Sequence, residues 1–217
     1  MINEYNLKTC GVELPIELIG RLTFLRMEEN LPIVFLFDEH HGNLNGCIEK
    51  NIVNAFELIG KAKVVLVGVE SLAGGKSWDP ENQRYSNDYF NKKFDDHLAK
   101  GYKNRVTKFA DEVEKISRNI VCGVESFGMM HRIGEDCLEG NFHFGIGVSL
   151  HPLNESRSKH FIKTLFEDYN LKGLQGNLIL NCGSNHNSHI EHWIINGEID
   201  DIVGIRANYI RINAINK

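Results

Sequence analysis

Four times along this chain a short run rich in Val, Ile, Leu and Phe stops at acidic or imidazole side chains, and this recurrence constrains the fold more than any other feature. The runs are Pro32–Phe37, Lys63–Val69, Asn119–Val124 and Asn177–Cys182. Apolar residues at consecutive positions suit strands buried on both faces, as in a parallel sheet covered by helices on each side. Helical periodicity fills the intervals. Ile48, Ile52, Phe56 and Ile59 form one stripe, and Val106, Phe109, Ala110, Val113 and Ile116 a second. Phe161, Ile162, Leu165, Phe166 and Tyr169 form a third, with a cap expected at Asn154 or Ser156. The expected class is therefore α/β, a mostly parallel sheet flanked by helices. Phe142–Leu150 is a weaker strand candidate, and Ile16–Glu29 reads as a further helix ended near Asn30 and Pro32.

At 217 residues the chain is long enough for one such domain, spanning 1–217, with an elaboration. That elaboration is a polar insertion at about 74–104, after the second core run, where Trp78, Tyr85, Tyr89 and Phe90 stand among charges. Insertions of this length beside a strand end are often lids; a surface hairpin or an oligomer contact is the alternative. Five scattered cysteines without a Cys-x-x-Cys pair argue against a disulfide framework or a zinc ribbon. With 24 basic against 29 acidic side chains, the charge of −5 gives no attraction to nucleic acid or to anionic lipid. No apolar run approaches the roughly 18 residues of a membrane helix, and the amino-terminal residues lack a signal-peptide pattern, so a cytoplasmic protein is expected.

Ligands of open parallel sheets bind beyond the carboxyl ends of the strands. The first run ends in Asp38-Glu39-His40-His41, the second in Glu70-Ser71, the third in Glu125-Ser126 and the last in Gly183-Ser184-Asn185-His186. Gly-Val-Glu-Ser thus occurs twice at a strand end. A lone strand-end Glu commonly caps a helix or meets a surface Lys, but a cluster of carboxylates and imidazoles at one sheet edge costs several kcal/mol unless paired, protonated or metal-bound. Two chemistries fit the cluster. A divalent transition metal such as Mn, Zn or Fe could be held by Asp38, His40 and Glu125 together with Glu39, His41, Glu70 and His186. Without metal, an imidazole steadied by a carboxylate can act as general base on water. Neither Ser71 nor Ser126 lies in a Gly-x-Ser-x-Gly elbow, so an acyl-enzyme route is not supported.

The run His186-Asn187-Ser188-His189-Ile190-Glu191-His192 resembles a metal comb. Three-residue steps on a helix drift by about 60°, however, so the three imidazoles cannot converge on one ion. His186 should point into the crevice, His192 into solvent, and His189 between the two. His131, His143 and His151 are further crevice candidates, whereas His97 and His160 should be solvated.

These strand ends resemble the superfamily of erythromycin esterase, the ChaN-like haem-binding proteins and the TraB/TIKI proteases. Its pattern is a first strand ending Gly-Glu-x-His, a second ending in Glu and a late one ending Gly-x-x-His. Glu39 and His41 match the first motif, with Asp38 where the family has Gly; Glu70 matches the second and His186 the last. The similarity runs from about Ile33 to His192. It implies an α/β sandwich with its pocket at those strand ends, Glu39 and His41 polarising or activating water, and Glu70 and His186 completing a catalytic set. The chain is shorter than the esterases and lacks their large helical substrate region. The function expected is a hydrolase, metal-assisted, cleaving an ester or amide of a small molecule or peptide. The alternative is a non-enzymatic haem or iron binder of the ChaN-like type.

Overall fold

The computed structural model describes residues 18–40, 46–73, 108–118, 120–126, 128–129, 132–133, 136 and 151–214. Within them the chain forms six strands and five helices of regular length: β1 (Arg21–Arg26), β2 (Ile33–Glu39), α1 (Cys47–Lys61), β3 (Val64–Ala73), α2 (Lys108–Ile116), β4 (Val121–Glu125), α3 (Leu153–Leu171), β5 (Asn177–Gly183), α4 (Ser184–Ile195), α5 (Ile199–Val203) and β6 (Asn208–Asn213). One sheet contains all six strands in the order β1-β6-β2-β5-β3-β4. Every pairing is parallel except that of β1 with β6. The fold is thus α/β with a mostly parallel sheet flanked by helices, as the apolar runs require.

The alternation of side chains along each strand divides the core into two layers. Ile33, Phe35 and Phe37 of β2 join Ile48, Ala55 and Leu58 of α1 and Phe109 and Val113 of α2 on one face. Phe37 and Phe109 meet edge to face with ring centroids 6.2 Å apart. Val34 and Leu36 join Phe161 and Leu165 of α3, Ile190 and Trp193 of α4, and Ile199 of α5 on the other. Outward steps from β2 to β3 to β4 therefore run over the first face, and return steps from β4 to β5 to β6 over the second. A right-handed crossover that reverses direction must change face. Consequently β5 sends its chain to the opposite face from its neighbours β2 and β3, which makes its carboxyl end the topological switch point where α/β folds bind ligands.

The amino-terminal edge is closed differently. Asn177 Oδ1 accepts the Ile33 N–H at 2.8 Å, while the Asn177 amide donates to the Ala62 carbonyl. Asn208 likewise bridges the Glu28 N–H, at 2.6 Å, and the Glu28 carbonyl, at 2.8 Å. Two asparagines thus serve turns that would otherwise leave buried backbone groups unpaired.

Several local expectations need correction. The segment read as a helix over Ile16–Glu29 contains β1: Leu22 and Phe24 pack on one layer and Leu25 on the other, across a bulge between Phe24 and Arg26. Its end near Asn30 is a turn, with Asn30 at φ 61°. The stripe of α1 runs through Ile48, Asn51, Ile52, Ala55 and Leu58, leaving Phe56 37% exposed. Steps of four residues drift by about 40° each, so the two steps from Ile48 to Phe56 add up to about 80° and leave the buried face. Ile116, the last residue of α2, is exposed as well. Helix α3 starts after Pro152, with its first N–H taken by His151 and not by Asn154 or Ser156, and Asn154 is buried in the site. The strand candidate Phe142–Leu150 and the insertion at about 74–104 lie outside the described residues. No described helix is long and apolar enough to cross a membrane.

Candidate functional site

The apolar stripe of α3 ends in polar residues at its amino terminus. Leu165, Phe161 and Ile162 give way to Ser158, Arg157 and Asn154, all buried, on the same face. This turn of the helix faces the carboxyl ends of β3, β4 and β5, and Arg157 is its centre. Arg157 Nε and Nη2 fork the Glu125 carboxylate at 3.1 and 2.6 Å. Nη2 also reaches Glu70 Oε1 at 3.2 Å, and Nη1 donates to Asn154 Oδ1 at 3.1 Å. The guanidinium carbon stands 5.3 Å from the centre of the Phe161 ring.

His186, in the first turn of α4, closes the cluster. Its Nε2 lies 3.5 Å from Glu70 Oε1, its Nδ1 lies 2.8 Å from Ser158 Oγ, and its ring lies 4.7 Å from that of Phe161. The second Glu70 oxygen accepts the Gly183 N–H at 2.7 Å, at the start of α4, where an acceptor meets the positive end of the helix. Glu70, Glu125, Arg157 and His186 are all 6% exposed or less. Burial raises the Glu125 pKa, and the nearby Glu70 carboxylate adds to this, against the opposing pull of Arg157. For Arg157, burial acts to lower the pKa, but Glu125 and Glu70 more than reverse it, so the guanidinium stays charged.

Ser158 Oγ touches three partners. It donates to the Asn154 carbonyl at 2.9 Å in one arrangement, and it also lies 2.8 Å from His189 Nδ1. His189 is half-buried, and burial, with His186 next, lowers its pKa. His192, as expected, is exposed, hydrogen-bonded to Asn196.

A second ionic network stands beside the first. Asp38, fully buried, receives Arg211 Nε at 3.0 and 3.1 Å and the Asn187 amide at 2.9 Å. Arg211 also binds Glu191 and the Ser184 carbonyl. Asp38 thus ties β2 to β6 and α4. Register puts Asp38 opposite Cys182, on the α4 face, whereas Glu39 lies opposite Gly183 and turns to the α1 face. There Glu39 accepts the Asn181 amide, and Asn51 Nδ2 links Asn181 Oδ1 at 3.1 Å to the Asp38 carbonyl at 3.0 Å.

Of the residues singled out in the sequence, Glu70, Glu125 and His186 are brought together, Glu39 shares their sheet edge on the other face, and Asp38 belongs to the Arg211 network. His40 is exposed, and its carbonyl receives the Cys47 thiol at 3.6 Å. His41 lies outside the described residues, as do His97, His131 and His143. His151 is buried at the start of α3, with Nε2 2.9 Å from Asp136 and Nδ1 accepting the Leu153 N–H at 3.1 Å. Its role is to anchor that helix. His160 is half-buried beside Thr164. Sequence reasoning missed Arg157, Ser158, Asn181 and Arg211; for the first two the signal was the polar continuation of the α3 stripe toward its amino terminus.

Glu70, Glu125 and Asp38 do not fit a divalent ion. Both Glu125 oxygens and one Glu70 oxygen face Arg157, the other Glu70 oxygen holds a backbone N–H, and Asp38 is held by Arg211. An ion taking these oxygens would sit against a guanidinium in a poorly screened interior. Among the described residues no group of three or more His, Cys, Asp and Glu is arranged to hold a metal ion. No family model matches this chain, and no curated protein or solved structure matches it.

Proposed function

We propose that this protein is a hydrolase of an ester or amide bond in a small molecule or peptide, working at the carboxyl ends of β2, β5 and β3 with His186 as general base. One observation carries the reading: His186 Nδ1 is held by Ser158 while Nε2 lies 3.5 Å from Glu70 Oε1. Two acceptors at that separation can both hold one water at about 2.8 Å, with the imidazole taking its proton and the carboxylate orienting it. Arg157 keeps Glu70 in place without touching substrate. Glu39, steadied by Asn181 on the far side of β5, is assigned as the acid–base partner of His41 on the strength of the strand-end motif the two residues match. This route needs no metal ion, in keeping with the guanidinium that occupies the carboxylates. A metal-assisted route would have to recruit its donors from His41 and Glu39.

The test is turnover of a panel of chromogenic esters and amino-acid anilides by the purified chain, with chelator, Mn or Zn in parallel arms. His186→Ala and Glu70→Gln are expected to lower kcat by about 100-fold or more, with chelator having no effect. Turnover unchanged by both substitutions refutes the assignment. Activity lost to chelator and restored by metal replaces the general-base route with the metal-assisted one. A Soret band in the purified protein replaces hydrolysis with haem binding.

A further inference from the structure

Ser158 is buried on α3, and its hydroxyl carries one hydrogen but faces three groups: the Asn154 carbonyl at 2.9 Å, His186 Nδ1 at 2.8 Å and His189 Nδ1 at 2.8 Å. A hydroxyl offers one donor and two acceptor positions. If it donates to Asn154, both imidazoles must present Nδ1–H to it. If it turns to either imidazole, that ring must present a bare Nδ1. The two histidines therefore cannot choose their tautomers independently. They are also unequally placed, His186 buried against Glu70 and His189 half-exposed on the next turn of α4.

We propose that His186, Ser158 and His189 form a proton relay that connects the buried strand-end site to solvent along one face of α4. This deepens the general-base reading and rests on it for its purpose, which is to clear the proton taken from water. In the step, His186 Nε2 accepts a proton and the Nδ1 proton passes to Ser158 Oγ. The Ser158 proton passes in turn to His189 Nδ1, and His189 releases its Nε2 proton to solvent. One proton enters, one leaves, and Ser158 is unchanged. The cycle closes when His186 gives its Nε2 proton to the leaving group and a proton taken from solvent at His189 Nε2 drives the His189 Nδ1 proton back to Ser158 Oγ and the Ser158 proton to His186 Nδ1. The surroundings fit this direction. His186 faces Glu70 of β3, Phe161 of α3 and Glu125 of β4, whereas His189 faces Glu155 of α3 and, on its own helix, His186 and His192. Burial lowers the proton affinity of His189, so it gives a proton up readily near neutral pH. Ser158 is a positioning residue in this scheme and makes no bond to substrate.

Nitrogen-15 imidazole spectra of the full chain, recorded across pH 5 to 9, test the relay without any substrate. In the wild type, the Nδ1 and Nε2 resonances of His186 should move through the same transition that protonates His189. In Ser158→Ala each ring should titrate once and alone, and Ser158→Thr, which keeps the hydroxyl, should restore the shared transition. Independent titration of the two rings in the wild type overturns the relay, whether or not any variant folds. In turnover assays Ser158→Ala should lower kcat about 10-fold with KM unchanged, and added imidazole buffer should rescue it, as expected when proton removal becomes limiting. A kcat loss that buffer does not rescue would also overturn the relay. Coupled titration in a protein with no hydrolytic activity would uphold the relay and remove only the hydrolase reading.

Discussion

Replacing Arg157 by Met keeps most of the side-chain volume and removes the positive charge that Glu125 and Glu70 share. All three groups are buried, with Arg157 3%, Glu70 6% and Glu125 2% exposed, so solvent cannot take over. Breaking a buried pair by deleting one partner costs about 3–5 kcal/mol, which for a chain of this size lowers Tm by roughly 6–20 °C. The pH dependence is the sharper test. Glu125 already has a folded pKa above its ordinary value of 4.5 because of burial. An acid whose pKa is raised by folding contributes stability that is full below its unfolded pKa and is lost as pH rises through the folded one. Deleting Arg157 removes what opposes burial, so the folded value climbs further and the penalty at pH 7 grows. The gap between wild type and Arg157→Met in urea unfolding should therefore be smaller at pH 5 than at pH 7, by ~1.4 kcal/mol for every tenfold weakening of Glu125 as an acid in that range. The double variant Arg157→Met, Glu125→Gln should recover much of the loss at pH 7. A gap under about 1 kcal/mol at pH 7, or one equal at the two pH values, would refute the claim that Arg157 offsets buried carboxylate charge.

Asp38→Ala should lower stability by about 1–3 kcal/mol, because Arg211 Nε and the buried Asn187 amide lose an acceptor while Glu191 still holds the guanidinium; denaturant melts check this, and a loss under about 0.5 kcal/mol would make the network dispensable. Gly68→Ala should destabilise by about 1–3 kcal/mol, since an added Cβ would lie 2.9 Å from Val124 Cγ1 and 3.0 Å from Leu165 Cδ1; a neutral thermal melt would show that the layer under α3 gives way there. Burial pushes the Cys122 thiol up to about 12 and Cys182 upward as well, so neither should react with Ellman's reagent at pH 8 until the chain is unfolded. Mass mapping of labelled peptides reads this directly. His41→Ala should abolish turnover with little change in Tm, and a collapse in Tm without loss of specific activity would make His41 structural.

The central strands and the crossover helices were legible because each has a strong single period: β2 is buried at all seven positions and reads as unbroken apolar sequence up to its acidic end. The edge was not. Strand β6 is Asn-Tyr-Ile-Arg-Ile-Asn, whose Arg211 and Asn208 serve ion pairing and a turn, and β1 shares its Leu-rich composition with amphipathic helices. Only pairing with β6, set by tertiary context, distinguishes the two. In the site, strand-end residues were found by position, so Glu70, Glu125 and His186 stood out. Arg157 and Ser158 come from a helix whose sequence position says nothing about which strand end it will face. Asp38 and Glu39 are adjacent in sequence yet serve different networks, because the pleat turns them to opposite faces.

The placement of β5 has a consequence for how the chain comes into being. It supplies the inner edge of both β2 and β3, yet it is made roughly 140 residues after β2 ends. At translation rates of about 5–20 residues per second, β2 waits of the order of 7–30 s for its partner. For that interval neither edge of β2 has its native partner, since β6, its other neighbour, comes later still, and β3 adds a third open edge once it is made. Non-local parallel pairing of this kind is slow. Spontaneous refolding should be most vulnerable to aggregation before β5 docks, and a chain truncated before Asn177 should bind holdase chaperones tightly, while one ending after Asn213 should not.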